Sequence, residues 1–183
     1  MRTGVLVALV VLAACSASVE GNGGDPDAAV VDGPPPIDAA PPIDARACAG
    51  GDARMAVADG SCIVRFDAAK THADASAACM AFGARLAILN SSDRDAVART
   101  LAGTTDIFIG LTDTAVEATF VWSDGSALGY KNFYAGEPND GGGNYPEDCI
   151  IVNGVRGGQW DDRRCVPDPN TGVGGVYPYF CMF

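Results

Sequence analysis

Between Asp113 and Asp162 the chain carries nine acidic residues, Asp113, Glu117, Asp124, Glu137, Asp140, Glu147, Asp148, Asp161 and Asp162, against two basic ones, Lys131 and Arg156. Carboxylates at this density repel one another unless a counter-ion lies among them. A hard divalent cation answers that need: Ca2+ takes six to eight oxygens at about 2.3 to 2.6 Å from carboxylates, amide carbonyls, backbone carbonyls and water. Glu137, Asn139, Glu147, Asp161 and Asp162 supply that chemistry, and the stretch is expected to bind Ca2+.

The excess charge is local. The whole chain has 23 acidic and 12 basic residues, a net charge of -11, and the stretch from Asp113 to Asp162 alone accounts for -7 of it. Such a chain repels phosphate backbones and anionic lipid surfaces, so nucleic acid is not an expected partner. Enzyme chemistry is not expected either. The acidic residues are committed to the cation, the one histidine, His72, falls in an expected helix, and no phosphate-binding loop is present.

Seven cysteines are present. Cys15 stands apart near the amino terminus, which leaves Cys48, Cys62, Cys79, Cys149, Cys165 and Cys181, an even number that implies disulfides in an exported domain. Zinc is a poor alternative, because no Cys-x-x-Cys pair exists and His72 is isolated. Counting alone leaves the pairing open.

The amino-terminal part explains the export. Residues 1–14 combine Arg2 with an apolar run from Val5 to Ala14, the length of a signal-peptide core and too short to span a bilayer. Leu12-Ala13-Ala14-Cys15 resembles a bacterial lipobox, which would place an acyl anchor on Cys15; an ordinary signal peptide with an incidental cysteine is the alternative. Residues 15–46 are rich in Asp, Ala and Pro and cannot bury enough apolar surface to order themselves, so they read as a spacer. The expected protein is lipid-anchored to the cell envelope, with Ser16 compatible with an outer membrane, facing the periplasm or the exterior.

The elements that must position the acidic residues lie within 47–183. A strand is expected at Cys62 to Phe66, a helix from Thr71 to Phe82 before Gly83, and a strand at Leu86 to Leu89. A second helix is expected from about Ser92, as N-cap with Asp93 and Asp95 in a favourable first turn, to about Leu101. Short strands follow at Ile107 to Leu111, Phe120 to Trp122, Cys149 to Asn153, Val155 to Trp160 and Val176 to Phe183, an α+β pattern.

Taken in order, Ala75-x-x-x-Cys79, Gly83-Ala-Arg-Leu86-Ala, Phe108-Ile-Gly-Leu111, Trp122-Ser-Asp-Gly125, Glu137-Pro-Asn139, Glu147-Asp-Cys149, Trp160-Asp-Asp162 and terminal Cys181 resemble a C-type lectin domain over Cys48 to Phe183. The resemblance implies that fold, with two helices, small antiparallel sheets, a long Ca2+-binding loop region and three disulfides pairing Cys48 with Cys62, Cys79 with Cys181 and Cys149 with Cys165. It makes Glu137, Asn139, Glu147, Asp161 and Asp162 the ligands of a principal Ca2+ site, with Pro138 as a cis proline, and Asp113, Glu117, Asp140 and Asp148 those of an auxiliary one. His72, Phe108 and Phe133 stand where the family often has Trp, and Pro167 to Gly175 lengthens the interval to Cys181.

In sugar-binding members two neighbouring hydroxyls of one monosaccharide meet the principal ion and are hydrogen-bonded by Glu/Asn pairs. The resemblance therefore implies a mannose-type lectin, taking mannose, fucose or N-acetylglucosamine glycans through Glu137, Asn139, Glu147 and Asp161. Asp161 departs from the family's Asn: it adds charge for Ca2+ but removes an amide donor, since a hydroxyl has only one proton to give. Tyr145, in a glycine-rich loop, is a candidate to stack on a sugar face. The other reading is a Ca2+-stabilised module that binds a protein ligand and no sugar.

Overall fold

In the computed structural model, residues 48–142 and 146–183 are described. The signal peptide expected at 1–14, Cys15, the spacer expected at 15–46 and Tyr145 lie outside the described residues.

Local signals set both helices. Helix α1 (His72–Ala81) starts after Thr71, whose hydroxyl accepts from the Asp74 amide, and stops at Phe82 before Gly83, which takes a left-handed φ of 77°. Helix α2 (Ser92–Ala102) is capped by Ser91 instead of the expected Ser92, because the Ser91 hydroxyl accepts from the amide of Arg94 three residues on. Gly103 ends it.

Eight strands form one sheet: β1 (Ala53–Ala56), β2 (Cys62–Lys70), β3 (Arg85–Leu86), β4 (Ile107–Thr112), β5 (Val121–Trp122), β6 (Cys149–Asn153), β7 (Gln159–Arg163) and β8 (Tyr177–Met182). Their order is β1-β2-β8-β4-β6-β7, with β3 on β8 and β5 on β4. The pairings are antiparallel except that of β4 with β8, which is parallel at Phe108 and Tyr179, so the sheet is mixed where purely antiparallel pieces were expected.

Two further differences concern single segments. Leu86 to Leu89 pairs as a strand only at Arg85–Leu86, while Ala87 to Leu89 run on as buried chain. The strand expected at Val155 to Trp160 begins only at Gln159: Gly154–Arg156 is a 3-10 turn capped by the Asn153 side chain, and Gly157 and Gly158 follow with φ of 68° and 78°. Two consecutive left-handed glycines close the β6–β7 hairpin, and the apolar Val155 that suggested a strand is exposed at its tip.

Strand β6 shows how the core is organised. All five of its residues are buried, with Ile150 and Val152 packing into a cluster with Trp122, Trp160 and Phe180, and Cys149 and Ile151 into a second with Phe108, Tyr179 and the Cys79–Cys181 bridge. Alternate side chains of a strand point to opposite faces, so β6 has core on both. The disulfides are Cys48–Cys62, Cys79–Cys181 and Cys149–Cys165, the pairing the resemblance implies.

Candidate functional site

Strand β7 ends the sheet path and carries Trp160, Asp161 and Asp162 in register with Val152, Ile151 and Ile150 of β6. The long loop is laid along it by backbone hydrogen bonds: the Trp160 amide donates to the Asn132 carbonyl at 2.7 Å and the Tyr134 amide to the Trp160 carbonyl at 2.9 Å. The Trp160 side chain is the anchor. Its indole is fully buried edge-on against Trp122, Tyr130 and Phe133.

The indole Nε1–H donates to Asp95 of helix α2 at 2.8 Å, and the same carboxylate accepts from the Asn132 amide at 2.8 Å and the Tyr130 hydroxyl at 3.3 Å. Asp95 is only 2 % exposed, and burial raises its pKa although all three donors act the other way. It stands in the first turn of α2, as expected, and is buried there. It ties α2, the loop and β7 together, and the sequence signal was the apolar company of Ala98 and Ala102 on the same face of the helix.

From Tyr134 the loop reaches Glu137 and Pro138, joined by a cis peptide bond. The amides of Asn139 and Asp140 then both point at the carboxylate of Asp162, at 3.0 and 2.6 Å to Oδ2. This requires left-handed backbone at Asp140 (φ 52°) and Gly141 (φ 57°). Gly141 is also close to Glu147: a Cβ there would meet its Oε2 at 2.9 Å. Asp140 Oδ1 accepts from the Glu147 amide at 2.8 Å, which draws the two ends of the glycine-rich loop together.

Glu137, Asp161 and Asp162 each present a carboxylate oxygen within 4.8 Å of the others. Two oxygens bound to one Ca2+ are separated by at most about 5 Å, twice the Ca–O distance, so these separations are compatible with one ion shared by the three. Asn139 adjoins them, with its amide on Glu137 and its Oδ1 accepting from the Gly141 amide at 2.7 Å. Glu147 lies outside the converging three, but its pKa is raised, first by burial and further by the charges of Asp162 and Asp161.

Two arginines also enter. Arg163 forms a fork with Asp161, 2.7 Å from each oxygen, and donates to the Asp162 carbonyl at 2.8 Å. Arg156 reaches Glu137 Oε1 at 2.5 Å and Asp161 Oδ2 at 3.1 Å, with its guanidinium 4.4 Å from the centre of the Tyr134 ring. Asp161 additionally accepts from the Asn153 amide at 2.8 Å. The charge that distinguishes Asp161 from an Asn is thus answered inside the protein. Arg163 follows the acidic stretch and Arg156 is one of only two cations within it, which made both hard to place from sequence.

The four acidic residues of the expected auxiliary site are arranged differently. Asp113 is 4 % exposed; its Oδ2 accepts from the Ala118 amide at 2.9 Å and its Oδ1 has no hydrogen-bond partner among the described residues. Its pKa is pushed up to about 6, first by burial and then by the charges of Glu117 and Asp148. Burial raises Asp148 too, with Asp140 adding to it. An orphaned buried carboxylate oxygen facing like charges fits a cation, although among the described residues only Glu137, Asp161 and Asp162 converge within 4.8 Å.

A groove of about 770 Å³ runs beside Glu137 and Pro138, walled by Phe120, Leu128, Lys131 and Phe133. On the other flank the segment that lengthens the interval to Cys181 closes a smaller cavity of about 260 Å³ against Glu147, Arg163 and Tyr177.

Two helices on a mixed sheet, three disulfides and a long loop bringing acidic side chains to the edge strand define a C-type lectin-like fold. The chain belongs to the C-type lectin domain family, whose model matches residues 68–170. It is 33% identical over 117 residues to ladderlectin of Oncorhynchus mykiss, across 61% of this chain and 60% of that one. It is 52% identical over 60 residues to the low affinity immunoglobulin epsilon Fc receptor of Mus musculus, across 33% of this chain and 17% of the receptor. The matches thus span less than two thirds of these relatives. Among solved structures, the cow C-type carbohydrate-recognition domain of CD23, determined in the presence of GlcNAc2Man3 oligosaccharide, superposes with a TM-score of 0.60 at 26% identity, covering 74% of this chain and 96% of that one. A calcium-independent type II antifreeze protein shares the fold at a TM-score of 0.60 and 20% identity, over 75% and 95% of the two chains. The family is one of lectin domains and indicates no catalytic activity.

Proposed function

We propose that the domain is a Ca2+-dependent carbohydrate-binding module of the mannose type. The observation that carries this reading is the convergence of Glu137, Asp161 and Asp162 to within 4.8 Å beside Asn139. Glu137 and Asn139 are the pair that would accept from and donate to a sugar hydroxyl, and Glu147 completes the oxygen set. When bound, Ca2+ would supply coordination sites for two vicinal hydroxyls; the residues of the chain orient them. The orphaned Asp113 Oδ1 supports an auxiliary ion held with Glu117, Asp140 and Asp148. A family that generally binds Ca2+ and a CD23 neighbour prepared with a mannose-containing oligosaccharide are consistent with this.

Retention on immobilised mannan that is reversed by EDTA is the expected result, with Glu137→Gln weakening Ca2+ and sugar binding together by at least tenfold. A second reading, a module that binds a protein ligand and no sugar, is favoured by one observation: both oxygens of Asp161 are already held by Arg163, Asn153 and Arg156. No retention across a glycan array, in a protein that still binds Ca2+, would select it. We further propose that the chain is exported and lipid-anchored through Cys15 to the cell envelope; recovery in the aqueous phase of a detergent partition, with Cys15 unmodified, would exclude the anchor.

A further inference from the structure

The guanidinium of Arg156 lies where a metal ion would be needed. It bridges Glu137 and Asp161, two of the three converging carboxylates, at 2.5 and 3.1 Å. It is not rigidly built in. Arg156 comes from the 3-10 turn at the tip of the β6–β7 hairpin, its side chain is 32% exposed, and while it bridges the two carboxylates its guanidinium lies 4.4 Å from the centre of the exposed Tyr134 ring. Arg163, by contrast, is locked to Asp161 by a two-pronged fork and to the Asp162 carbonyl.

We propose that Arg156 is a tethered cation that holds the principal site in the calcium-free protein and must swing out toward solvent for Ca2+ to enter. The inference rests on the Ca2+ reading of that site and adds an internal competitor to it. With both arginines in place, three carboxylates face two guanidiniums and little charge is left for a divalent ion; with Arg156 withdrawn, the cluster recovers the charge on which Ca2+ affinity depends. Two consequences follow from one contact. Ca2+ binds more weakly than the oxygen set alone would allow, and the empty site does not fly apart, because Glu137 and Asp161 keep a positive partner without metal.

The full chain, its Arg156→Gln variant and its Arg156→Lys variant are titrated with CaCl2 by calorimetry, and their thermal midpoints are measured in EDTA and at saturating Ca2+. Arg156→Gln is expected to bind Ca2+ about tenfold more tightly, as for removal of one charge-assisted contact. Its midpoint in EDTA should fall below that of the unaltered chain, while the midpoints at saturating Ca2+ coincide. Arg156→Lys keeps the charge on a different reach, should fall between the two, and carries the test if the Gln variant does not fold. Unchanged or weaker Ca2+ binding by Arg156→Gln overturns the proposal and leaves the Ca2+ site standing. Binding by the Gln variant alone supports the proposal and overturns the Ca2+ reading for the unaltered chain. Binding by none of the three overturns both.

Discussion

Asp161 is fully buried and shares its two carboxylate oxygens among Arg163, Asn153 and Arg156. From sequence, an Asn at this position looks like a simple restoration of a sugar donor. The structure gives that substitution a different first effect: the amide would turn one N–H toward the Arg163 fork and leave a part-buried guanidinium short of an acceptor. Asp161→Asn is therefore expected to lose about 3 kcal/mol of stability without Ca2+, the order found when one partner of a buried ion pair is removed. Urea unfolding in EDTA measures it, and an unchanged midpoint would show that the fork contributes nothing. Any change in mannose binding is to be compared at equal folded fraction.

The same logic extends from a residue to the elements it joins. Helix α2 reaches the loop and β7 through Asp95, which receives Trp160, Asn132 and Tyr130, and the tip of the β6–β7 hairpin through Arg99, whose Nε–H donates to the Gly157 carbonyl at 2.9 Å. Asp95→Ala strands the buried indole N–H of Trp160 and the part-buried amide of Asn132, and we expect a loss of about 3 kcal/mol, while Tyr130→Phe, which removes the longest of the three bonds, should cost about 1 kcal/mol. Ca2+ affinity should also fall in Asp95→Ala, although Asp95 is not a candidate ligand, because the loop and β7 lose their common brace; calorimetry and urea unfolding separate the two effects. This is also where the sequence ran short. The helices were legible because caps are local, with Thr71 and Gly83 marking the ends of α1, and the long loop was legible from Glu137-Pro-Asn139. The Val155 strand was misplaced because apolar content outweighed a glycine pair whose meaning, a hairpin reversal, depends on the partner strand. The three donors to Asp95 were not legible because an acidic residue in a first helical turn already has an adequate local explanation. The arginine contacts of Asp161 needed the hairpin to be closed before they could be seen.

On the scale of the whole molecule, acidity has more than one lever. His72 donates from Nε2 to the Ile109 carbonyl, 3.0 Å away, and its ring lies edge-on to Phe108; burial lowers its pKa from the ordinary value of 6.5. Protonation is thus easier in the unfolded chain, so the stability His72 contributes is complete above pH 6.5 and is lost as pH falls below it. Asp113 acts with the opposite sign in the metal-free protein. Its raised pKa means that it is stabilised by protonation as pH falls through about 6 and destabilised as pH rises through the same range. The two are separated by comparison: in EDTA, His72→Phe should flatten the decline in thermal midpoint between pH 6.5 and 5 relative to the unaltered chain, and parallel profiles would exclude His72 as a contributor.

The strand order has a practical corollary. The path across the sheet opens with β1, just after Cys48, and closes with β7, which carries Asp161 and Asp162. Cys48 and β1 therefore lie toward the opposite border of the sheet from the strand that carries Asp161 and Asp162. A biosensor chip coupled through the β1 border would leave β7 turned to the flow, so capture chemistry need not mask the surface whose ligand is being sought.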